Sequence, residues 1–301
     1  MRTRFRPDRQ LTTRMVVTMF LLGLLYVLFV VALVYLLRSI VLVVLIAGGL
    51  LFVQYFFSDR IALIAMGAKE VTPEQQPRLH GIIDRLCASA DMPKPRVAVA
   101  QSQLPNAFAT GRNQKRAVVC TTTGLMDRLD NAELEGVLAH ELSHIAHRDV
   151  VVMTIASFLV LLAGLLTRFA FYSGMFGGRR RDSDQAALVV LLVLVVSAVV
   201  YAVSFLLIRA LSRYRELAAD RAGVQVTGRP AALASALTKV SGDISAIPSR
   251  DLRTAQPFNA FFFAPAIGAQ ANLATLLSTH PTLEERLNQL DRISQEMGRP
   301  V

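Results

Sequence analysis

The stretch DNAELEGVLAHELSHIAHRDV, residues 130–150, contains His140-Glu141-Leu142-Ser143-His144, an HExxH pattern. An α-helix turns about 100° per residue, so histidines four apart lie about 40° from each other on one face. At that spacing two neutral imidazoles can grip one zinc ion. Glu141 can then reach a water in the open position and take its proton. Local signals favour a helix here. Asp130 followed by Glu133 reads as a capping box, and Leu134, Val137 and Leu138 supply an apolar stripe. A zinc peptidase needs a third protein ligand, which the rest of the chain must provide.

The apolar fraction of 53% and mean hydropathy of +0.45 are too high for an ordinary soluble chain, so membrane spans are expected. The net charge of +10 does not indicate a nucleic-acid partner. Its arginines crowd the ends of apolar runs, and no basic patch with interleaved aromatics appears. The two cysteines, Cys87 and Cys120, form neither a CxxC pair nor a disulfide framework, which fits a reducing compartment. The apolar run 15–37 follows Arg2, Arg4, Arg6, Arg9 and Arg14. It is too long for the core of a signal peptide and lacks a cleavage site, so it reads as a retained anchor.

Four segments follow from this patterning. Residues 1–58 form an arm and a hairpin of two spans, 15–37 and 40–57, broken at Arg38-Ser39. Residues 59–149 form the first part of a catalytic domain. Residues 150–208 form a second hairpin, 150–167 and 186–208, and residues 209–301 the second catalytic part. Within the first catalytic part, Leu79, Ile82, Ile83, Leu86 and Cys87 keep a helical stripe, on which His80 is a packing or surface residue. Residues 96–100, 106–111 and 116–121 read as short strands of a small sheet. Residues 105–111, with Asn106, Ala107, Phe108 and Ala109, could form an open edge to which an extended peptide adds as a further strand. Phe261-Phe262-Phe263 fits a core, a lid or a membrane-touching loop equally well. Leu283, Leu287, Leu290 and Ile293 predict a last amphipathic helix.

Several residues compete to be the third ligand. A metzincin would need glycine at 147 and histidine at 150, where this chain has His147 and Val150. The downstream glutamates are Glu216, Glu284, Glu285 and Glu296. If the HExxH helix runs on into the span at 150–167, His144 and His140 stand roughly 9 and 15 Å before Val150. Glu216 lies roughly 12 Å beyond Ile208, at the end of the antiparallel span. The heights match, which selects Glu216. Asp220, one turn further on, can accept the spare ring N–H of a ligating histidine, while His147 is expected to pack or hydrogen-bond.

The ordered set of Pro105-Asn106-Ala107-Phe108-Ala109-Thr110-Gly111, the HExxH motif, Arg215-Glu216-Leu217-Ala218-Ala219-Asp220 and Ser278-Thr279-His280-Pro281, between hydrophobic hairpins, resembles the HtpX-like membrane zinc metalloproteases. These are heat-shock proteases related to the CAAX prenyl endopeptidases. The resemblance implies an α-helical membrane protein with four transmembrane helices and a small β-sheet in a gluzincin-type zinc metalloprotease domain. It implies one Zn2+ per chain, a multi-pass location in a bacterial-type inner membrane, and a cytosolic N-terminus and catalytic domain. Misfolded or damaged membrane proteins, or unfolded proteins, are the implied substrates, with the lipid bilayer as environment. It further implies that Asn106 belongs to a substrate-binding edge and that His280 stabilises the oxyanion. Arg179, Arg180 and Arg181, in a loop expected to face outward, run against the positive-inside tendency. Two rival readings are an intramembrane zinc protease and a non-catalytic zinc-bound chaperone or scaffold. Glu133, Glu135, Arg148 and Asp149 around the motif oppose the first, and the intact Glu141 opposes the second.

Overall fold

A computed structural model of the chain describes residues 8–149, 152–153, 162–166, 168, 184–246 and 280–298. The chain divides into two compact units. One comprises Thr13–Phe57 and Val152–Leu211, the other Met1–Thr12, Ser58–Val151 and Ser212–Val301.

In the first unit, α1 (Arg9–Leu37) and α2 (Ile40–Ala65) are separated by Arg38, whose φ of 51° turns the backbone out of the helix. Both helices are apolar all round. One face packs through Leu22, Phe29, Leu33, Val43 and Ala47, while Val16, Phe20, Val27, Val31, Val41 and Leu45 are exposed. A helix with large apolar side chains on every face belongs in a lipid environment. The same core takes in Val193, Val200 and Ile208 of α6 (Asp184–Thr227). Among the described residues, three helices are long and apolar enough to cross a membrane, where four were expected. The expected span at 150–167 lies largely outside the described residues, as do Arg179, Arg180, Arg181 and Phe261-Phe262-Phe263.

The second unit is built on a four-stranded sheet, β1 (Ala68–Glu70), β2 (Arg96–Ala100), β3 (Ala107–Thr110) and β4 (Val118–Thr122), in the order β1-β2-β4-β3. β4 runs parallel to β2 and antiparallel to β3, with Phe108 opposite Cys120. Gly111 makes the turn out of β3. Its φ is +134°, and a Cβ there would stand 2.7 Å from the Arg116 carbonyl oxygen, so only glycine fits. The strand β1 was not anticipated, because three residues carry too little alternation to be seen. α3 (Pro77–Ala90) buries the predicted stripe and ends where Asp91 takes a left-handed conformation.

α5 (Asn131–Ala146) follows the short α4 (Thr123–Arg128) and forms the centre of this unit. α3 and β3 pack against it, as does α7 (Pro230–Ala246). Leu134, Val137, Leu138 and Leu142 are completely buried, each contributing about 1.5–3 kcal/mol. The last helix, α8 (Leu283–Glu296), packs on α7 and buries Leu290 and Ile293. The sequence suggests a stripe on the motif helix, but packing covers almost its whole circumference, burying His140, Glu141, Ser143 and His144 as well.

Candidate metal centre

α5 starts on the capping box expected from the sequence. Asp130 Oδ1 accepts from the Ala132 and Glu133 amides at 2.8 and 2.9 Å, and Glu133 Oε2 accepts from the Asp130 amide at 3.0 Å. Two turns on, His140 Nε2 and His144 Nε2 stand 3.2 Å apart. Glu216 reaches them from α6, with Oε2 3.4 Å from His140 Nε2 and Oε1 3.6 Å from His144 Nε2. Among the described residues, these three form the one cluster of potential ligands able to hold a metal ion. The competing glutamates lie outside this cluster: Glu285 pairs with Arg213 and caps α8, Glu296 pairs with Arg221, and Glu284 is exposed in the first turn of α8.

The spacing can be tested against a metal ion. Ligands on a small ion with bonds of about 2.0–2.2 Å in a tetrahedral arrangement lie about 3.3–3.6 Å apart. The separations here are 3.2, 3.4 and 3.6 Å. Calcium bonds of about 2.3–2.6 Å would hold the ligands further apart, and calcium takes oxygen ligands only. Charge agrees with this. Glu141, Asp149, Glu216 and Asp220 are buried beside Arg215 and Arg286. Four carboxylates against two guanidiniums leave a formal charge of −2 with neutral imidazoles, and a divalent cation closes it. The residues therefore fit such an ion.

Both histidines are held from behind. His140 Nδ1 donates to Asp220 Oδ1 at 2.8 Å, and Arg286 grips Asp220 from α8, its Nε 2.7 Å from Oδ2. His144 Nδ1 donates to Asp149 Oδ2 at 2.8 Å. A carboxylate can only accept, so each Nδ1 carries the proton and each Nε2 points at the other ligands. Burial opposes a charge on His140, but hydrogen bonds to Asp220 and Glu216 outweigh it and raise its pKa to about 9 without a metal. Burial likewise pushes the Glu141 carboxyl up from its ordinary value, against the attraction of His140 and His144.

The sequence misplaced one feature. α5 does not run on as one helix into the segment at 150–167: it stops at Ala146, and Arg148 takes a φ of 60°. A non-glycine residue in that conformation costs roughly 1–2 kcal/mol. The reversal brings Asp149 back under His144, where it is 1% exposed. No sequence signal marks Asp149, because its approach depends on one backbone dihedral. Arg286 was equally missed, being one polar residue on a helix read for its leucines.

His280 lies just ahead of α8, 3% exposed, with Nδ1 3.5 Å from Glu216 Oε2. Asn106 is buried and bonded to Thr122, its amide donating to Oγ1 at 2.9 Å and its carbonyl accepting from the Thr122 amide at 2.9 Å. Among the described residues β3 is the last strand in the sheet order, with Ala107 and Phe108 buried and Ala109 half-buried, so this edge offers backbone rather than side chains. His147 is half-buried at the end of α5, and its amide donates to the Ser143 carbonyl. His80 is buried, with Nε2 3.0 Å from the Val71 carbonyl, a packing role.

Comparison with known proteins places these elements in context. A family model described as peptidase family M48 matches residues 73–294. A Streptomyces coelicolor protein named Protease HtpX homolog 1 is 65% identical over 298 residues, covering 99% of this chain and 97% of its own. Protease HtpX homolog of Moorella thermoacetica is 51% identical over 298 residues, covering 99% of each. The crystal structure of S. mikatae Ste24p matches with a TM-score of 0.51 at 16% identity, over 94% of this chain and 67% of that one, a likeness of fold.

Proposed function

The chain belongs to peptidase family M48 and to its HtpX-like membrane proteases, and from that premise we propose that it is a zinc-dependent endopeptidase. It cleaves misfolded or damaged membrane proteins at the cytosolic face of a bacterial-type inner membrane. The observation carrying this reading is the convergence of His140 Nε2, His144 Nε2 and a Glu216 carboxylate oxygen at 3.2–3.6 Å. Two imidazoles and one carboxylate suit zinc's borderline preference for nitrogen and oxygen ligands.

When bound, zinc supplies a Lewis acid for the scissile carbonyl and makes a neighbouring water acidic. Glu141 takes the proton from that water and delivers it to the leaving amine. Its buried, upward-shifted carboxyl suits both the acceptance and the return of a proton. His280 donates to the oxygen that gains charge as the carbonyl becomes tetrahedral. The open edge of β3, beside Asn106, Ala107, Phe108 and Ala109, pairs with the substrate backbone as an added strand, leaving sequence preference to side-chain pockets. A segment must be extended to add to a sheet edge, which favours loosened or unfolded parts of membrane proteins.

All the proposed catalytic groups belong to the unit that holds the sheet, and this favours cleavage outside the bilayer over the intramembrane alternative. The test uses the full-length protein in liposomes with a panel of membrane proteins, mapping the cuts. Wild type should cleave loops and termini, and Glu141→Gln should keep its zinc and lose cleavage. Undiminished cleavage by Glu141→Gln would overturn the mechanism, and cuts within spans would favour the intramembrane reading.

A further inference from the structure

The buried groups around the metal centre fall into two matching chains, and only the one through Asp220 was expected from the sequence. In the first, Arg286 pairs with Asp220, which accepts from His140. In the second, Arg215 pairs with Asp149, which accepts from His144. Here the guanidinium also does something that Arg286 does not. Arg215 Nε stands 3.6 Å from Asp149 Oδ2, while Nη2 donates to Glu216 Oε1 at 2.9 Å. One cation therefore touches both the carboxylate behind His144 and the carboxylate opposite it.

We infer that Asp149, turned back by Arg148 and tied through Arg215 to Glu216, is a positioning residue that sets the orientation of the His144 ring for the metal. Three observations carry this. Asp149 is 1% exposed, and a carboxylate is buried that deeply only where its partners hold it. Its bond to Nδ1 is as short as the Asp220 bond to His140, 2.8 Å in each case, and it fixes the tautomer that presents Nε2 inward. The left-handed Arg148 is exposed, its amide ends α5 on the Ile145 carbonyl at 3.2 Å, and the turn it makes returns Asp149 to His144. Arg215 then joins the two sides of the site, so that Glu216 on α6 and His144 on α5 stay in register before a metal arrives.

The inference rests on His140, His144 and Glu216 holding the metal, and the experiment separates the two. Full-length protein in detergent is stripped of metal, and its zinc affinity is measured by competition with a chelating dye. Thermal unfolding of the apoprotein is recorded alongside. Asp149→Ala should bind zinc about 10–100-fold more weakly. Asp149→Asn, which keeps an acceptor oxygen at the same reach but loses the charge, should fall between alanine and wild type. Cobalt bound in place of zinc should show an altered visible spectrum in the alanine variant, because the His144 ring is no longer held. A purely structural Asp149 would lower the unfolding temperature and leave zinc affinity and the cobalt spectrum of the folded protein unchanged, and that result overturns the inference. If Asp149→Ala does not fold, Asp149→Asn decides alone: severalfold weaker zinc binding supports the role, and wild-type affinity removes it. His144→Ala and Glu216→Ala are the controls. Retention of zinc by both would defeat the metal site itself, whereas its loss there with undiminished binding in both Asp149 variants defeats this inference only.

Discussion

His140 offers one lone pair to two competitors. Its Nδ1 is committed to Asp220, so a proton on Nε2 and a metal ion exclude each other. Without a metal its pKa is raised to about 9, and the proton therefore dominates at neutral pH. Zinc affinity should rise about tenfold per pH unit up to about pH 9 and then level off, where an ordinary histidine would level off near pH 6.5. Dye competition at several pH values checks this, and a plateau already reached at pH 7 would contradict it. The same shift acts on folding. A histidine whose pKa is raised in the folded state stabilises the apoprotein fully below about pH 6.5, and that stability is lost as pH climbs through about 9. Chemical unfolding of the apoprotein at pH 6.5 and 9.5 should show the decline. At this scale the sequence was legible where chemistry is local. His140 and His144 share one helical face by periodicity alone, with Glu141 one residue round from the first, and the approach of Asp220 to a histidine fits its one-turn spacing from Glu216. Asp149 was visible only as a charge near the motif and Arg215 only as the first residue of the stretch that holds Glu216, since their contacts depend on the dihedral of Arg148 and on a helix far away in sequence.

α6 brings the third carboxylate to the site. The sequence reads it as an apolar span at 186–208 with a polar, helix-like run directly after it, and the two are one helix of 44 residues, roughly 66 Å long. No proline interrupts it, and Arg213, Arg215, Glu216 and Asp220 are good enough helix residues, with partners on neighbouring elements, for the same helix to continue past its apolar part. The choice of Glu216 by height assumed that α5 continued into the next span as well. That premise fails at Arg148, yet Glu216 still meets the histidines because α6 itself is unbroken. What sets the approach of α6 to α5 is Gly223, where an added Cβ would stand 3.0 Å from the His140 backbone nitrogen and 3.3 Å from its Cα. Such contacts are with backbone, which cannot rotate away, so Gly223→Ala must separate the helices by a few tenths of an ångström. Alanine's better helix propensity offsets up to about 1 kcal/mol, against a typical overpacking cost of about 1–3 kcal/mol. Gly223→Ala should weaken zinc binding by loosening the Glu216–His140 separation, with a smaller effect on the unfolding temperature. Gly242→Ala, which has open space around it on α7, should leave both unchanged. Equal zinc affinity in the two variants would show that the close approach does not govern the site.

Across the whole molecule, composition announced a membrane protein, and the apolar runs supplied the expected segment boundaries near residues 58, 149 and 208. The return at Ser212 joins residues 59–149 with the C-terminal region into one unit, a division in sequence that local patterning can mark but cannot close up in space. The strand order is the part that could not be read, because parallel pairing of β2 with β4 places β3 at the edge through contacts between strands that are not neighbours in sequence. Orientation in the bilayer follows from charge instead. Arg9 and Arg14 lie in the first turns of α1, ahead of its apolar run, Arg60 and Lys69 lie at and beyond the end of the apolar part of α2, and Arg209, Arg213 and Arg215 follow the apolar part of α6. Arginine and lysine beside spans favour the cytoplasmic side, and these outnumber the opposing Arg179, Arg180 and Arg181. The sheet-bearing unit should therefore face the cytoplasm. In inverted inner-membrane vesicles an added protease should digest that unit, while in spheroplasts the unit should stay protected until the membrane is opened. Protection in inverted vesicles together with digestion in spheroplasts would reverse the orientation. It would also mean that the three arginines at 179–181, rather than the larger set, control how the chain inserts.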